Sequence, residues 1–177
     1  MEEYNVRGSV ESKIRQIAEQ FTGCQYMFAD YAQANVEFDR VDKPTIMYVL
    51  PPSGTLQIYH NRVLDYPRVQ LWFLCPSEFD FDGEENECRV EAMKQLGVAF
   101  IHAINESGLF EIIDMEGIPY QVAYDAYDRN LTGVCLQPQL REKEGLIMCG
   151  DFYPEFAFEK EEEEEEEDND DNDNDNE

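Results

Sequence analysis

Histidine, basic residues and closely spaced cysteines are scarce in this 177-residue sequence, and each scarcity narrows the chemistry it can carry. His60 and His102 are the two histidines, and no H-x-H, H-E-x-x-H or C-x-x-C pattern occurs, so no metal site is indicated. A Cys–His nucleophile pair, such as Cys75 with His60, has no supporting pattern. Glycine-rich phosphate loops are also absent from the sequence. We therefore expect a protein with no catalytic residues, no cofactor and no metal.

One acidic loop partly matches a calcium-binding loop. Residues 78–83 place side-chain oxygens at alternate positions, and Gly83 stands sixth. The twelfth position is Arg89, where calcium needs a bidentate glutamate, and the first is Glu78 rather than aspartate. We interpret the segment as a loop that leads into a helix, whose N-terminus favours the acids Glu84, Glu85 and Glu87.

Five cysteines, at positions 24, 75, 88, 135 and 149, form an odd number without paired spacing. The acidic start of the sequence is not followed by an apolar segment of the signal-peptide type. No apolar run approaches the roughly 20 residues needed to span a bilayer. We expect free, mostly buried thiols in a reducing compartment and no association with a membrane.

Acidic residues outnumber basic ones by 40 to 13, which gives a net charge of −27. Residues 159–177 hold 14 acids and one lysine, a net −13, and the other 158 residues hold 26 acids and 12 bases, a net −14. Nucleic-acid binding depends on lysine and arginine that neutralise phosphates, so we do not expect sequence-reading DNA or RNA binding. A surface along which DNA slides without binding is compatible with this charge.

The composition divides the chain into three parts. We predict a flexible N-terminus over residues 1–8, a single α+β domain over 9–158 and a disordered acidic tail over 159–177. The tail is interpreted as a solubilising appendage that keeps monomers apart before assembly. Alternatively, it docks on a basic patch of a partner.

Apolar spacing predicts a short N-terminal helix over 10–21, capped by Ser9, and a long helix over 84–105 that buries Val90, Met93 and Phe100. A short helix or turn is expected over 25–34. Strands are expected at 45–50, 56–59, 69–75, 110–114, 120–127 and 131–140, and residues 146–149 cap the sheet. Because strands and helices do not alternate one for one, we predict an α+β fold. It has a mostly antiparallel sheet with the long helix packed on one face.

Two aromatic clusters lie outside the strongest periodic segments. Such residues either pack back onto the core or anchor into a neighbouring subunit, because tyrosine and phenylalanine are enriched at the centres of interfaces. The possible subunit-interface residues are Tyr26, Phe28, Tyr31, Phe152, Tyr153 and Phe156.

The order of elements resembles that of the tail terminator (tail-completion) proteins of tailed bacteriophages and of their head–tail connector, or neck, relatives. The resemblance covers about residues 9–148 and concerns element order rather than a diagnostic motif. It is carried by the short N-terminal helix, the strands over 44–49 and 69–74, the long helix over 86–105, and the late pair 120–127 and 130–136 that continues to 141–145.

This resemblance implies a structural virion protein, made in the host bacterial cytoplasm, without catalytic activity. Identical subunits would form a ring at the head–tail junction and contact other phage neck, portal or tail proteins. DNA would pass through the lumen without specific binding. An alternative class is an acidic DNA mimic, or another protein-binding module, that occupies a basic partner. An enzyme of unrecognised type is a third hypothesis.

Overall fold

A computed structural model of the chain describes residues 9–38, 42–50, 52–59, 62–78, 83–114, 117–128, 130–143 and 146–147. The predicted N-terminal segment 1–8 and the acidic tail 159–177 lie outside these ranges. Within them are the helices α1 (Val10–Ala18), α2 (Tyr31–Phe38) and α3 (Gly83–Ser107). The strands are β1 (Gln25–Ala29), β2 (Thr45–Val49), β3 (Ser53–Tyr59), β4 (Arg62–Arg68), β5 (Leu71–Pro76), β6 (Tyr120–Ala126), β7 (Leu131–Leu136) and β8 (Leu146–Ile147).

Five of the strands form the main sheet, in the order β1-β2-β5-β7-β6. β1 and β2 run parallel, and the other neighbours run antiparallel. The remaining three strands form a smaller antiparallel sheet in the order β3-β4-β8. The predicted α+β class, with a mostly antiparallel sheet, is therefore confirmed.

Two helices cover one face of the main sheet. Ser9 caps α1, its hydroxyl accepting a hydrogen bond from the Ser12 N–H at 3.1 Å. α1 buries Ile14 and Ile17, and α3 buries Val90, Met93, Phe100 and Ile104. These side chains pack on alternate residues of the central strands, namely Ile46, Tyr48, Leu71, Phe73, Val134 and Leu136.

The opposite face of the main sheet carries α2. Asp30 caps this helix, because its carboxylate accepts hydrogen bonds from the backbone N–H groups of Ala32 and Gln33 at 2.9 and 2.8 Å. Ala34 and Phe38 of α2 then pack on the other set of alternate strand residues. Those residues are Met27, Ala29, Met47, Val49, Trp72, Leu74, Leu131 and Cys135. Both faces of the sheet are thus buried. This burial explains why the sequences of the central strands are nearly continuous apolar runs.

Several elements of the structure differ from those that the sequence predicts. The helix or turn expected over 25–34 is wrong for its first half, because Gln25–Ala29 pairs in parallel with β2 and forms a strand. β4 was not predicted. α1 ends at Ala18 rather than near residue 21, and β7 ends at Leu136 rather than at 140.

The strand expected over 110–114 is also wrong. Phe110 makes one isolated bridge to Glu142. At Ile113 the side chain of Asn105 takes the place of a neighbouring strand: its Oδ1 accepts from the Ile113 N–H at 2.9 Å and its Nδ2 donates to the Ile113 carbonyl at 3.2 Å. The backbone N–H and C=O of Ile113 are therefore satisfied without a strand partner.

Two glycines allow the closest approaches in the core. A Cβ at Gly133 would lie 2.0 Å from the carbonyl oxygen of Phe73 on the neighbouring strand. A Cβ at Gly97 of α3 would lie 2.7 Å from Leu136 Cδ1 and 3.2 Å from the Phe73 ring. Strand pairing and helix packing at these two positions both require a residue without a side chain.

We expect Gly133→Ala to lower the free energy of unfolding by about 3 kcal/mol, because the new methyl group meets backbone that cannot move aside. Urea denaturation measures this change as a lower midpoint. Gly23→Ala is the control, since a methyl group at that position would meet no neighbouring atom within 4 Å, and it should change stability by less than about 0.5 kcal/mol. Equal midpoints for the two variants would contradict the packing described.

Candidate functional site

The hairpin of β3 and β4, residues 53–68, is here named the arm; residues 60 and 61 within it lie outside the described ranges. Its strands pair in antiparallel register from Ser53↔Arg68 to Tyr59↔Arg62. All side chains from Ser53 to Ile58 are exposed. Leu56 is 65% exposed and Ile58 is 72% exposed, and both lie on the same face of β3. The arm therefore presents apolar surface to its surroundings.

β3 is an edge strand, and among the described residues it pairs only with β4. Its sequence from Ser53 to Tyr59 contains no charged residue and no proline. Edge strands in soluble proteins are usually protected by charges, proline, bulges or covering elements, because their free N–H and C=O groups can pair with another chain. β3 has no charge or proline of its own to provide this protection.

The β6 edge of the main sheet is different. Its register shifts between Ala123 and Ala126, and Asp125 within the shift has a positive φ of 45°. Ser77 and Thr132 hold this bulge, since the Ser77 hydroxyl donates to the Asp125 carboxylate at 3.0 Å and the Asp125 N–H donates to the Thr132 hydroxyl at 3.2 Å. A bulge of this kind interrupts further strand pairing.

Beside the arm lies a groove of about 600 Å³, here named the arm groove. Its apolar walls come from Val10 of α1, Phe28 of β1, and Leu56 and Pro67 of the arm. Glu11 and Asp65 contribute carboxylates to the same lining. The apolar face of the arm thus continues into a concave surface with acidic groups.

Tyr48 lies beneath this groove. It is 1% exposed, and its hydroxyl is buried without a hydrogen-bond partner among the described residues. Burial, followed by the nearby Asp65 and Glu11 carboxylates, raises the pKa of Tyr48 to about 12. The phenol is therefore neutral at physiological pH and available as a hydrogen-bond donor.

The base of the arm is tied to the domain by polar contacts. Lys13 of α1 donates to the Glu142 carboxylate at 2.5 Å. The backbone N–H of Glu142 donates to the Asp65 carbonyl at 3.3 Å, and that of Leu140 donates to the Pro67 carbonyl at 2.8 Å. These bonds fix the direction in which the arm leaves the main sheet.

The structure separates the predicted interface aromatics. Phe28 lines the arm groove and packs on the Tyr48 ring at 5.1 Å between centroids. Tyr26 is half-buried next to it along β1 and donates to the Glu11 carboxylate at 3.2 Å. Tyr31 lies on α2, where it stacks on Tyr127 at 6.3 Å. The other predicted residues, Phe152, Tyr153 and Phe156, lie outside the described ranges, so their role stays a prediction.

The arm itself was missed by the sequence interpretation. The strand expected over 56–59 lies within β3, and the structure exposes its Leu56 and Ile58. The available signal was the alternation of Leu56 and Ile58 with polar neighbours in a segment that lacks charge.

The residues considered for catalysis are placed as follows. His60 lies outside the described ranges, and His102 is exposed on α3. Burial raises the pKa of the Cys75 thiol, and it raises the pKa of Cys135 to about 11, which disfavours the reactive thiolate at both positions. Residues 79–82 of the calcium-like loop lie outside the described ranges. Arg89, which stands at the twelfth position of that loop pattern, pairs with Glu85 and donates to the Pro76 carbonyl. Within the described ranges, no group of three His, Cys, Asp or Glu residues could hold a metal ion.

No family model, curated protein or solved structure matches the chain. In the described part of the chain, no helix is both long enough and apolar enough to cross a membrane.

Asp65→Asn should stabilise the fold at pH 7. Burial, and then the Glu142 carboxylate, raise the pKa of Asp65 above its ordinary value of 3.8, so the native state binds this proton more tightly than the unfolded chain does. Stability from this group is present at low pH and is lost as the pH rises from 3.8 through the raised native pKa. The advantage of the asparagine variant should therefore shrink as the pH falls towards 3.8.

Urea denaturation midpoints of the asparagine variant and the unsubstituted protein, measured from pH 7 down to pH 3.8, test this expectation. Asp114→Asn, at an exposed position, removes the same charge and serves as the control. A pH-independent difference between Asp65→Asn and the unsubstituted protein would contradict the assignment.

Proposed function

We propose that this chain is a non-catalytic assembly protein whose copies bind one another through the arm and form a ring. The supporting observation is the edge strand β3, which has no charge or proline and exposes Leu56 and Ile58. Strands of this kind accept partners by edge pairing and by side-chain packing. The arm groove extends the same surface with Phe28 and Val10.

The resemblance to tail terminator and neck proteins suggests where such a ring would act. The proposed place is the head–tail junction of a tailed phage, with a portal, neck or tail protein on each side. The protein would be made in the host bacterial cytoplasm and carried in the virion. The support for this placement is the resemblance in element order; the structure has the short helix α1, the long helix α3 and a mostly antiparallel sheet, and it adds the strands β1 and β4 to the expected order.

The net negative charge of the chain is compatible with a ring through which DNA passes. With 40 acids against 13 bases, a ring of such subunits would repel the phosphates of DNA that passes through its lumen. DNA would then move through without being held by specific contacts.

Ile58→Asp should weaken self-association roughly 10- to 100-fold, because burying one isoleucine contributes about 1.5–3 kcal/mol and each 1.4 kcal/mol is a factor of ten. Light scattering after size exclusion, over a concentration series, measures the oligomer. Val36→Asp on α2 is the matched control, since Val36 is 73% exposed and receives the same charge. It should assemble like the unsubstituted protein.

The position in a virion needs its own measurement. Electron microscopy of the assembled protein should show rings, and mass spectrometry should find the chain in purified particles. A protein that stays monomeric at high concentration, with no difference between the two aspartate variants, would refute the proposal.

The acid excess also supports the alternative of a DNA mimic, and the effect of salt distinguishes the two. Raising the ionic strength from about 0.05 M to about 0.5 M shortens the Debye length. Self-association of these acidic copies should then strengthen, because their mutual repulsion is screened. A mimic bound to a basic partner should instead dissociate in the same titration.

A further inference from the structure

A cavity of about 480 Å³, here named the polar cavity, lies where the base of the arm meets the main sheet. Its walls come from the end of β4 and the residues that lead into β5, from the segment after β7, and from the segment before β6. Its volume is in the range of sites that bind small molecules. None of the residues that line it is acidic.

Strand pairing builds one wall of this cavity from polar residues. The bridge between Arg68 and Gln139 continues the antiparallel register of β5 and β7. In that register Gln70 stands opposite Gln137, and alternate strand residues share one face of a sheet. Ser53 pairs with Arg68 on its other side. All five residues line the cavity, so its polar wall is fixed by the backbone of the sheet.

Arg68 is the one ionisable residue of the lining. Its side chain makes no ion pair or hydrogen bond with any residue that the structure describes, whereas Lys13, Arg15, Arg89 and Lys94 each contact a glutamate. A guanidinium presents its N–H donors in a planar fork that matches the oxygens of a carboxylate or a phosphate. Arg68 therefore offers an oxyanion a charged donor for which no described carboxylate competes.

The neighbouring polar residues add donors without adding negative charge. The Tyr31 hydroxyl donates to Gln70 Oε1 at 3.2 Å, which leaves the NH₂ group of the Gln70 amide as a donor. The Ser53 hydroxyl and the Gln139 amide can also donate. The net charge of −27 repels anions at long range, but at physiological ionic strength this repulsion is screened beyond about 8 Å. Contact with Arg68 is made within that distance.

The opposite wall of the cavity is apolar and held in place. Ile113 and Ile118 line it, and both are half-buried against the main core. The two hydrogen bonds from the Asn105 side chain fix the backbone at Ile113. The carbonyl of Pro119 accepts from the Gln137 N–H at 2.9 Å and ties the same segment to the sheet. A preformed site loses little conformational freedom on binding.

We propose that the polar cavity binds a small organic anion. Its carboxylate or phosphate group pairs with Arg68, and its apolar part lies against Ile113 and Ile118. The amides and the hydroxyl of the polar wall take the remaining oxygens. This site goes beyond the proposed assembly function and does not require the ring, because every residue that forms it belongs to one copy.

Titration of the full chain with benzoate and phenyl phosphate, in a phosphate-free buffer, tests the site by calorimetry. Both anions should bind, and the tighter of the two identifies the preferred head group. Acetate should bind at least tenfold more weakly, because it lacks the apolar part. Benzyl alcohol should bind roughly 10- to 100-fold more weakly, because it lacks the charge that Arg68 pairs with. In nuclear magnetic resonance spectra, the Nε–H signal of Arg68 should shift with either anion.

Two substitutions with matched controls locate the binding. Arg68→Gln should weaken it roughly 10- to 100-fold, while Arg15→Gln, which removes the same charge from an exposed residue of α1, should leave it unchanged. Gln139→Glu keeps the guanidinium but places a carboxylate opposite it, and should therefore abolish binding. Gln121→Glu adds the same charge at an exposed position of β6 and should have no effect. Circular dichroism verifies that the variants fold.

Four results would overturn the proposal. Equal affinity for benzyl alcohol would show an apolar cavity without a role for the anion. Equal weakening by Arg68→Gln and Arg15→Gln would show attraction by overall charge rather than a site. Binding seen only in Glu116→Gln would show that this carboxylate, which lies outside the described ranges, is the partner of Arg68. The absence of binding by either anion up to about 10 mM would leave no site at all.

Discussion

The close approach of three elements at Phe73 is the constraint on which this domain depends. The carbonyl of Phe73 occupies the space that a side chain at Gly133 would need, and its ring packs under Gly97 and against Phe100 at 5.6 Å between centroids. Strand pairing between β5 and β7 and the docking of α3 therefore meet at one residue. Neither the distance between β5 and β7 nor the distance between α3 and the sheet can increase without exposing apolar surface. Strand pairing and helix docking therefore stabilise each other.

Covering both faces of the main sheet uses nearly all the apolar groups of the central strands. α1 and α3 bury one set of alternate residues and α2 buries the other. The arm remains outside this arrangement, and β8 pairs with β4 to extend it to a three-stranded sheet. The arm is also anchored at its base, where the N–H groups of Leu140 and Glu142 donate to carbonyls of β4. An anchored strand with exposed apolar groups loses little conformational freedom on binding, which favours association.

The sequence predicted the parts of the fold that depend on local pattern. The apolar run at 45–49 and the spacing of Val90, Met93 and Phe100 identify β2 and the buried side of α3. β1 escaped prediction because its partner is β2, beyond an intervening helix, and only that parallel pairing makes it a strand. β4 contains Arg62, Asp65 and Pro67, which are typical of loops, and its pairing with β3 overrides them. Of the predicted interface aromatics, Phe28 lines the arm groove. The exposure of the arm could not be predicted, because it depends on which faces the rest of the chain covers.

The distribution of acids constrains how such a protein can contact itself. Two copies repel each other at long range, and contact becomes favourable only where apolar surfaces meet without bringing carboxylates together. Near the arm groove Glu11 already pairs with Arg15 at 2.7 Å, and Lys13 lies close enough to Asp65 to favour its charged form, so part of this repulsion is neutralised locally.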